Sequence, residues 1–142
     1  MEQFEIEEKI NEALKQLRNK DSVLLSNNLS ERAICHKLAI YIENIFIDWD
    51  VDCEYNKIPT GCKILDIIPR GKSNSEKRKV FPDIIVHKRN TNDNFIVIEI
   101  KKSMNNNHSE VEFDKGKLNA YKTELKYKFA VIKLLRRKTK IW

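Results

Sequence analysis

Two carboxylates and an amine mark where chemistry could sit in this chain. Asp83 opens the apolar run "FPDIIVHK" (81–88), and Glu99 interrupts the end of a second run, "NFIVIEIK" (94–101), with Lys101 two residues further on. Acidic side chains are normally kept out of buried strands unless something offsets their lost hydration. Strand parity puts Asp83, Ile85 and His87 on one face, and Val97, Glu99 and Lys101 on one face of the next strand. The Asn- and Asp-rich stretch 89–94 reads as a tight reversal, so an antiparallel hairpin would bring Asp83 and Glu99 together at its open end. Two carboxylates in an apolar sheet repel each other, and one would keep its proton unless a cation joined them. Mg²⁺, or Mn²⁺ in its place, suits oxygen donors with no soft ligand in view. Lys101 could then orient an attacking water or steady charge developing on a phosphoryl group. The competing reading is structural, with Asp83 on the surface and Glu99 and Lys101 forming a same-face salt bridge.

The elements that must hold these residues can be read from periodicity. Ile6, Ile10, Ala13, Leu14 and Leu17 make residues 3–19 an amphipathic helix, and "NKDSVLLSNN" is a connector. A second helix is expected from Asn28, a capping residue with Glu31 three positions later, carrying the stripe Ile34, Leu38, Ile42 and Ile45. Alternation through Val51, Cys53 and Tyr55 predicts a half-exposed strand. Pro59, Gly61 and Pro69 then surround "KILDII", read as another strand or an edge extension, and residues 70–79 read as a loop. After the two dense strands, Val111, Asp114, Leu118, Tyr121 and Leu125 return to helical spacing, weakened by Gly116, and "YKFAVIKLL" closes as a buried strand. The sum is an α/β arrangement in which helices cover a central mixed sheet.

Length and charge bound the function. The 142 residues suit one domain (1–142), too short for separate catalytic and recognition domains. A net charge of +6 favours polyanions, and its distribution is uneven: the first twelve residues are acidic, whereas 70–79 and 133–142 are basic. Arg70, Lys72, Lys77, Arg78, Lys79, Lys102, Arg136 and Arg137 are the candidate phosphate contacts. Cys35, Cys53 and Cys62 lack metal or disulfide spacing, and Cys35 and Cys53 read as small core residues. His36, more than a helical turn beyond Glu31, reads as a flanking or surface residue, His87 is too far from Asp83 to share an ion, and His108 lies in a polar loop just after Lys101, within reach of a phosphate. With no secretory leader and no membrane-spanning run, a cytoplasmic, reducing location is expected, with no membrane partner.

Pro82-Asp83, followed sixteen positions after the Asp by Glu99-Ile100-Lys101, resembles the catalytic signature of the PD-(D/E)xK nuclease superfamily, the restriction-endonuclease-like fold. The resemblance implies a core of helix, strand, strand, strand, helix, strand, supplied here by residues 28–135. The helix at 3–19 and the basic insert at 58–79 would be additions. It also implies that Asp83, Glu99 and the Ile100 main-chain carbonyl bind the metal and that Lys101 is the catalytic lysine. Glu31 is the match for a further carboxylate on the first core helix, direct or water-mediated, and its spacing from Ile34 and Leu38 faces it to the packing side. Lys117 matches by position a polar residue on the last helix, the ordinary alternative being a solvated Asp114–Lys117 pair. The expected activity is metal-dependent phosphodiester hydrolysis in nucleic acid, DNA more than RNA, with little sequence specificity. A junction-resolvase-like enzyme and a non-catalytic nucleic-acid-binding domain of the same fold are the alternatives, and a homodimer or larger assembly is compatible with either.

Overall fold

The chain runs through helices α1 (Gln3–Lys20), α2 (Ser22–Ser26) and α3 (Glu31–Ile45), strand β1 (Asp50–Cys53), and the short strands β2 (Lys57–Ile58), β3 (Gly61–Cys62), β4 (Ile64–Ile67) and β5 (Glu76–Lys79). Strands β6 (Ile84–His87) and β7 (Asn94–Lys101), helix α4 (His108–Glu124), and strands β8 (Phe129–Leu134) and β9 (Lys140–Ile141) follow. These assignments come from a computed structural model that describes residues 1–26, 30–101, 108–135 and 140–141. Among the described residues no helix is long and apolar enough to cross a membrane.

Five strands form the main sheet in the order β1-β6-β7-β8-β9. All its pairings are antiparallel except β7–β8, and a parallel pair needs a crossover, which α4 supplies. Period-2 alternation along β7 divides the interior into two cores. Ile96, Ile98 and Ile100 pack with Ile84 and Val86 against α1 and α3, through Ile6, Ile10, Leu14, Ile34, Leu38 and Ile42. Val97 packs on the opposite face with Ile85, Ile132, Leu118 and Tyr121, and this second core also takes Leu65 of β4 and Val80. A mixed α/β fold with helices flanking the sheet is therefore observed, and the face bearing Val97, Glu99 and Lys101 is the one α4 covers.

Several local expectations are corrected. α3 begins later than expected: Ser30 is its N-cap, with the hydroxyl accepting from the Ala33 N–H at 3.4 Å, so Glu31 is the first helical residue and not the third. Asn28 lies outside the described residues. The connector after α1 contains the short helix α2. Residues 70–79 are not loop throughout, because Glu76–Lys79 pairs antiparallel with Ile64–Ile67, setting Lys77 opposite Asp66 and Arg78 opposite Leu65. "EKRK" has no apolar alternation to reveal a strand; its pairing is supplied by β4, whose Leu65 is buried against the α4-side core. Cys35 is buried as expected, but Cys53 is exposed at the end of β1.

Gly116 sits inside α4, where a glycine costs helical stability through backbone entropy. A methyl group added there would meet no atom within 4 Å. Gly116→Ala should therefore stabilise the protein by about 0.5–1 kcal/mol. The measurement is urea unfolding, with a higher midpoint at unchanged slope.

Candidate active site

The two acidic residues meet where the β6–β7 ladder stops. Register pairs Ile84 with Ile98, so continuing it by one residue sets Asp83 opposite Glu99, and by two sets Pro82 opposite Ile100. The Ile100 N–H points to the β6 side, donating to the Asp83 carboxylate at 2.8 Å, whereas the Lys101 carbonyl points the other way and accepts from the Leu135 N–H at 3.0 Å. In a strand a residue's N–H and C=O leave on the same edge, so the Ile100 carbonyl also faces β6. Pro82 has no N–H to offer it. The Pro82 carbonyl is itself turned outward, accepting from the Glu54 N–H of the neighbouring strand end at 2.9 Å.

Glu99 is the electrostatic centre. Its side chain is only 13% exposed. Burial pushes its pKa from 4.5 up to about 8; Lys117 opposes this, and the neighbouring Asp83 carboxylate adds to it. The Tyr121 hydroxyl donates to Glu99 Oε1 at 3.1 Å, and Lys117 Nζ lies 3.3 Å from the same oxygen. Tyr121 is held in turn by burial and by an edge-on contact with Tyr127. Lys101 shares the face of Glu99 but is ion-paired with Asp114 of α4. Both structural pairings considered from sequence are thus replaced: Lys101 goes to Asp114, not Glu99, and Lys117 goes to Glu99, not Asp114. The spacings of Asp114, Lys117 and Tyr121 put them on one stripe of α4, but which strand residue each would meet depends on how α4 lies across β7.

The remaining expected residues separate into groups. Glu31 is exposed in the first turn of α3, not turned to the packing side, because no earlier helical turn covers it. It lies toward the same end of the sheet: the buried Cys35 thiol, raised above its ordinary range mainly by burial, feels Asp83, Cys53, Glu31 and Glu99 in that order of strength. Among the described residues no three His, Cys, Asp or Glu side chains converge as a cage for a metal. The oxygen donors grouped at the ladder end are therefore two carboxylates and the Ile100 carbonyl. His36 is exposed, and His87 is buried on Asp52, 2.7 Å away, which Arg89 also engages.

The basic insert is partly neutralised. Arg70 pairs with Glu110 at 2.8 Å, and Lys72 and Arg78 both pair with Glu76 at 2.9 and 3.0 Å. Lys77 and Lys79 are exposed on the outer side of β5. Lys102, Arg136 and Arg137 lie outside the described residues.

The acidic pair is a set of hard-oxygen donors, with Asp83 opposite Glu99 by register and the Ile100 carbonyl on the same strand edge, and donors of this chemistry could hold a divalent cation of the Mg²⁺ type. Comparison with known proteins returned no matching family model, no matching curated protein and no matching solved structure.

A pH dependence follows. The folded state holds the Glu99 proton more tightly than the unfolded chain, so this group favours folding below about pH 4.5, and the benefit is lost as pH rises to about 8. In EDTA the melting temperature of the wild type should fall across that window relative to Glu99→Gln, which carries no such proton. Parallel pH courses for the two proteins would contradict the buried acidic pair.

Proposed function

We propose that this protein is a metal-dependent nuclease of the PD-(D/E)xK type, hydrolysing phosphodiester bonds in nucleic acid, with DNA the first substrate to assay. The observation that carries the reading is the sheet register that sets Asp83 opposite Glu99 where the ladder ends, with the amines of Lys101 and Lys117 held beside that face. The succession α3–β1–β6–β7–α4–β8 supports a restriction-endonuclease-like core. Asp83, Glu99 and the Ile100 carbonyl would hold Mg²⁺ or Mn²⁺, which when bound would polarise a phosphoryl oxygen and make water more acidic.

The chain's own groups prepare that chemistry. Asp83 is fixed by the Ile100 N–H, so its carboxylate is oriented before any ligand arrives. Glu99 must be ionised to act as a donor, and Lys117 favours that form while the Tyr121 hydroxyl sets its orientation. Asp114 holds the Lys101 ammonium close to this face, where it can donate to a phosphate oxygen or to an attacking water. Lys77 and Lys79 would add phosphate contacts that read no base sequence.

Asp83→Asn should lower Mg²⁺-dependent cleavage by on the order of a hundredfold or more while leaving the protein folded, because it removes an ion donor yet relieves repulsion with Glu99. Cleavage of linear, branched and single-stranded DNA across Mg²⁺ concentration, with thermal unfolding of the same sample, checks this. Wild-type rates in the purified variant would defeat the assignment.

Binding offers a second check. Replacing Lys77 and Lys79 together by alanine should reduce the dependence of log affinity on log salt by roughly two, at nearly equal cost for unrelated sequences. An unchanged slope would remove these lysines from the interface.

A further inference from the structure

A cleft of ≈ 730 Å³ separates the turn of the β4–β5 hairpin from α4 and is walled by Ile68, Pro69, Arg70, Phe113, Gly116 and Lys117. Its size is that of a small-ligand site. Lys117 ties it to the acidic pair, since the same ammonium lies 3.3 Å from Glu99. The Arg70 guanidinium stands over the Phe113 ring, 4.1 Å from its centre, while Glu110 holds Arg70 in place at 2.8 Å. An arginine plane against an aromatic ring forms a platform on which a nucleobase can stack.

Gly116 keeps the α4 wall bare. No neighbour lies within 4 Å of where its side chain would begin, so packing does not demand a glycine there despite the helical cost. Asp66 and Glu112 also line the cleft. Glu112, exposed on α4 at the cleft, would disfavour a phosphate there and could accept from the amino groups of a base. The phosphate is better placed at the Lys117 end, next to Glu99.

We propose that this cleft receives one unpaired nucleobase adjoining the phosphate presented to Asp83 and Glu99, making the protein selective for nucleic acid with a single-stranded nucleotide beside the cleavage position. The inference rests on the nuclease reading for the identity of its ligand, but it predicts binding that can be read without turnover.

The experiment uses the full chain in EDTA with a short DNA single strand carrying 2-aminopurine, the matched fully paired duplex, and free 2-aminopurine nucleotide. Binding of the single strand should quench the 2-aminopurine fluorescence. Phe113→Ala and Gly116→Leu should each weaken single-strand binding about tenfold, the loss expected for one stacked base, and change duplex binding less than about twofold. Weak binding of the free nucleotide, lost in Gly116→Leu, would support the base itself as the ligand; tight free-nucleotide binding with no preference for single strands would overturn a strand-borne ligand.

Wild-type single-strand affinity in a folded Gly116→Leu protein, or equal losses on single strand and duplex, would overturn the cleft. The nuclease reading is decided separately by Mg²⁺-dependent cleavage in wild type and Asp83→Asn. A quench lost in Gly116→Leu but no cleavage by either protein would sink the enzyme and keep the base site. Asp83-dependent cleavage with unaltered Gly116→Leu binding would do the reverse.

Discussion

A missing hydrogen-bond donor organises this end of the molecule. Pro82 stands where β6 would next exchange hydrogen bonds with Ile100, and it has no N–H to give. The ladder therefore ends at Ile84; the Pro82 carbonyl is turned away to the Glu54 N–H, and the Asp83 side chain takes its place as acceptor for the Ile100 N–H. An ordinary residue at position 82 could close the next rung and satisfy the Ile100 carbonyl within the sheet. With proline there, a carbonyl and a carboxylate are left facing the same space, directly beside Glu99.

The second determinant is the crossover. Because β7 and β8 run parallel, the chain must pass over one face of the sheet between them, and α4 does so on the face carrying Glu99 and Lys101. One helix thus supplies Asp114, Lys117 and Tyr121 to Glu99 and Lys101. Charges alternate across the site from Asp83 and Glu99 to Lys117, and from Lys101 to Asp114. Each lysine is held by a carboxylate, and neither carboxylate of the acidic pair is left without a donor.

Strand parity made the shared face of Val97, Glu99 and Lys101 legible, because a period of two fixes which residues share a face whatever the tertiary context. The β6–β7 hairpin was legible for a similar reason: Asn90, with a φ of 59°, takes the left-handed conformation that asparagine tolerates in the expected turn. The crossed ion pairs were not legible. Helical spacing groups Asp114, Lys117 and Tyr121, but the rotation of α4 over β7 that decides their partners is set by Leu118, Ala120 and Tyr121 packing into the core. The β4–β5 hairpin was hidden because β5 carries only charged side chains, and the Ser30 cap because Ser30 and Asn28 offer the backbone the same chemistry two residues apart.

The connections on either side of β6 differ greatly in length. Strand β7 joins it across residues 88–93, whereas β1 joins it only after residues 54–83, a stretch about five times longer that carries both small hairpins. Closing the longer loop costs roughly 1.4 kcal/mol more in chain entropy by the logarithmic rule, less whatever the internal hairpins already restrict. The acidic pair belongs to the cheaper closure. Asp83 and Glu99 can therefore come together in a local hairpin while β1 is still unattached, so the burial of an acid beside a second carboxyl falls within one of the least demanding steps of the sheet's assembly.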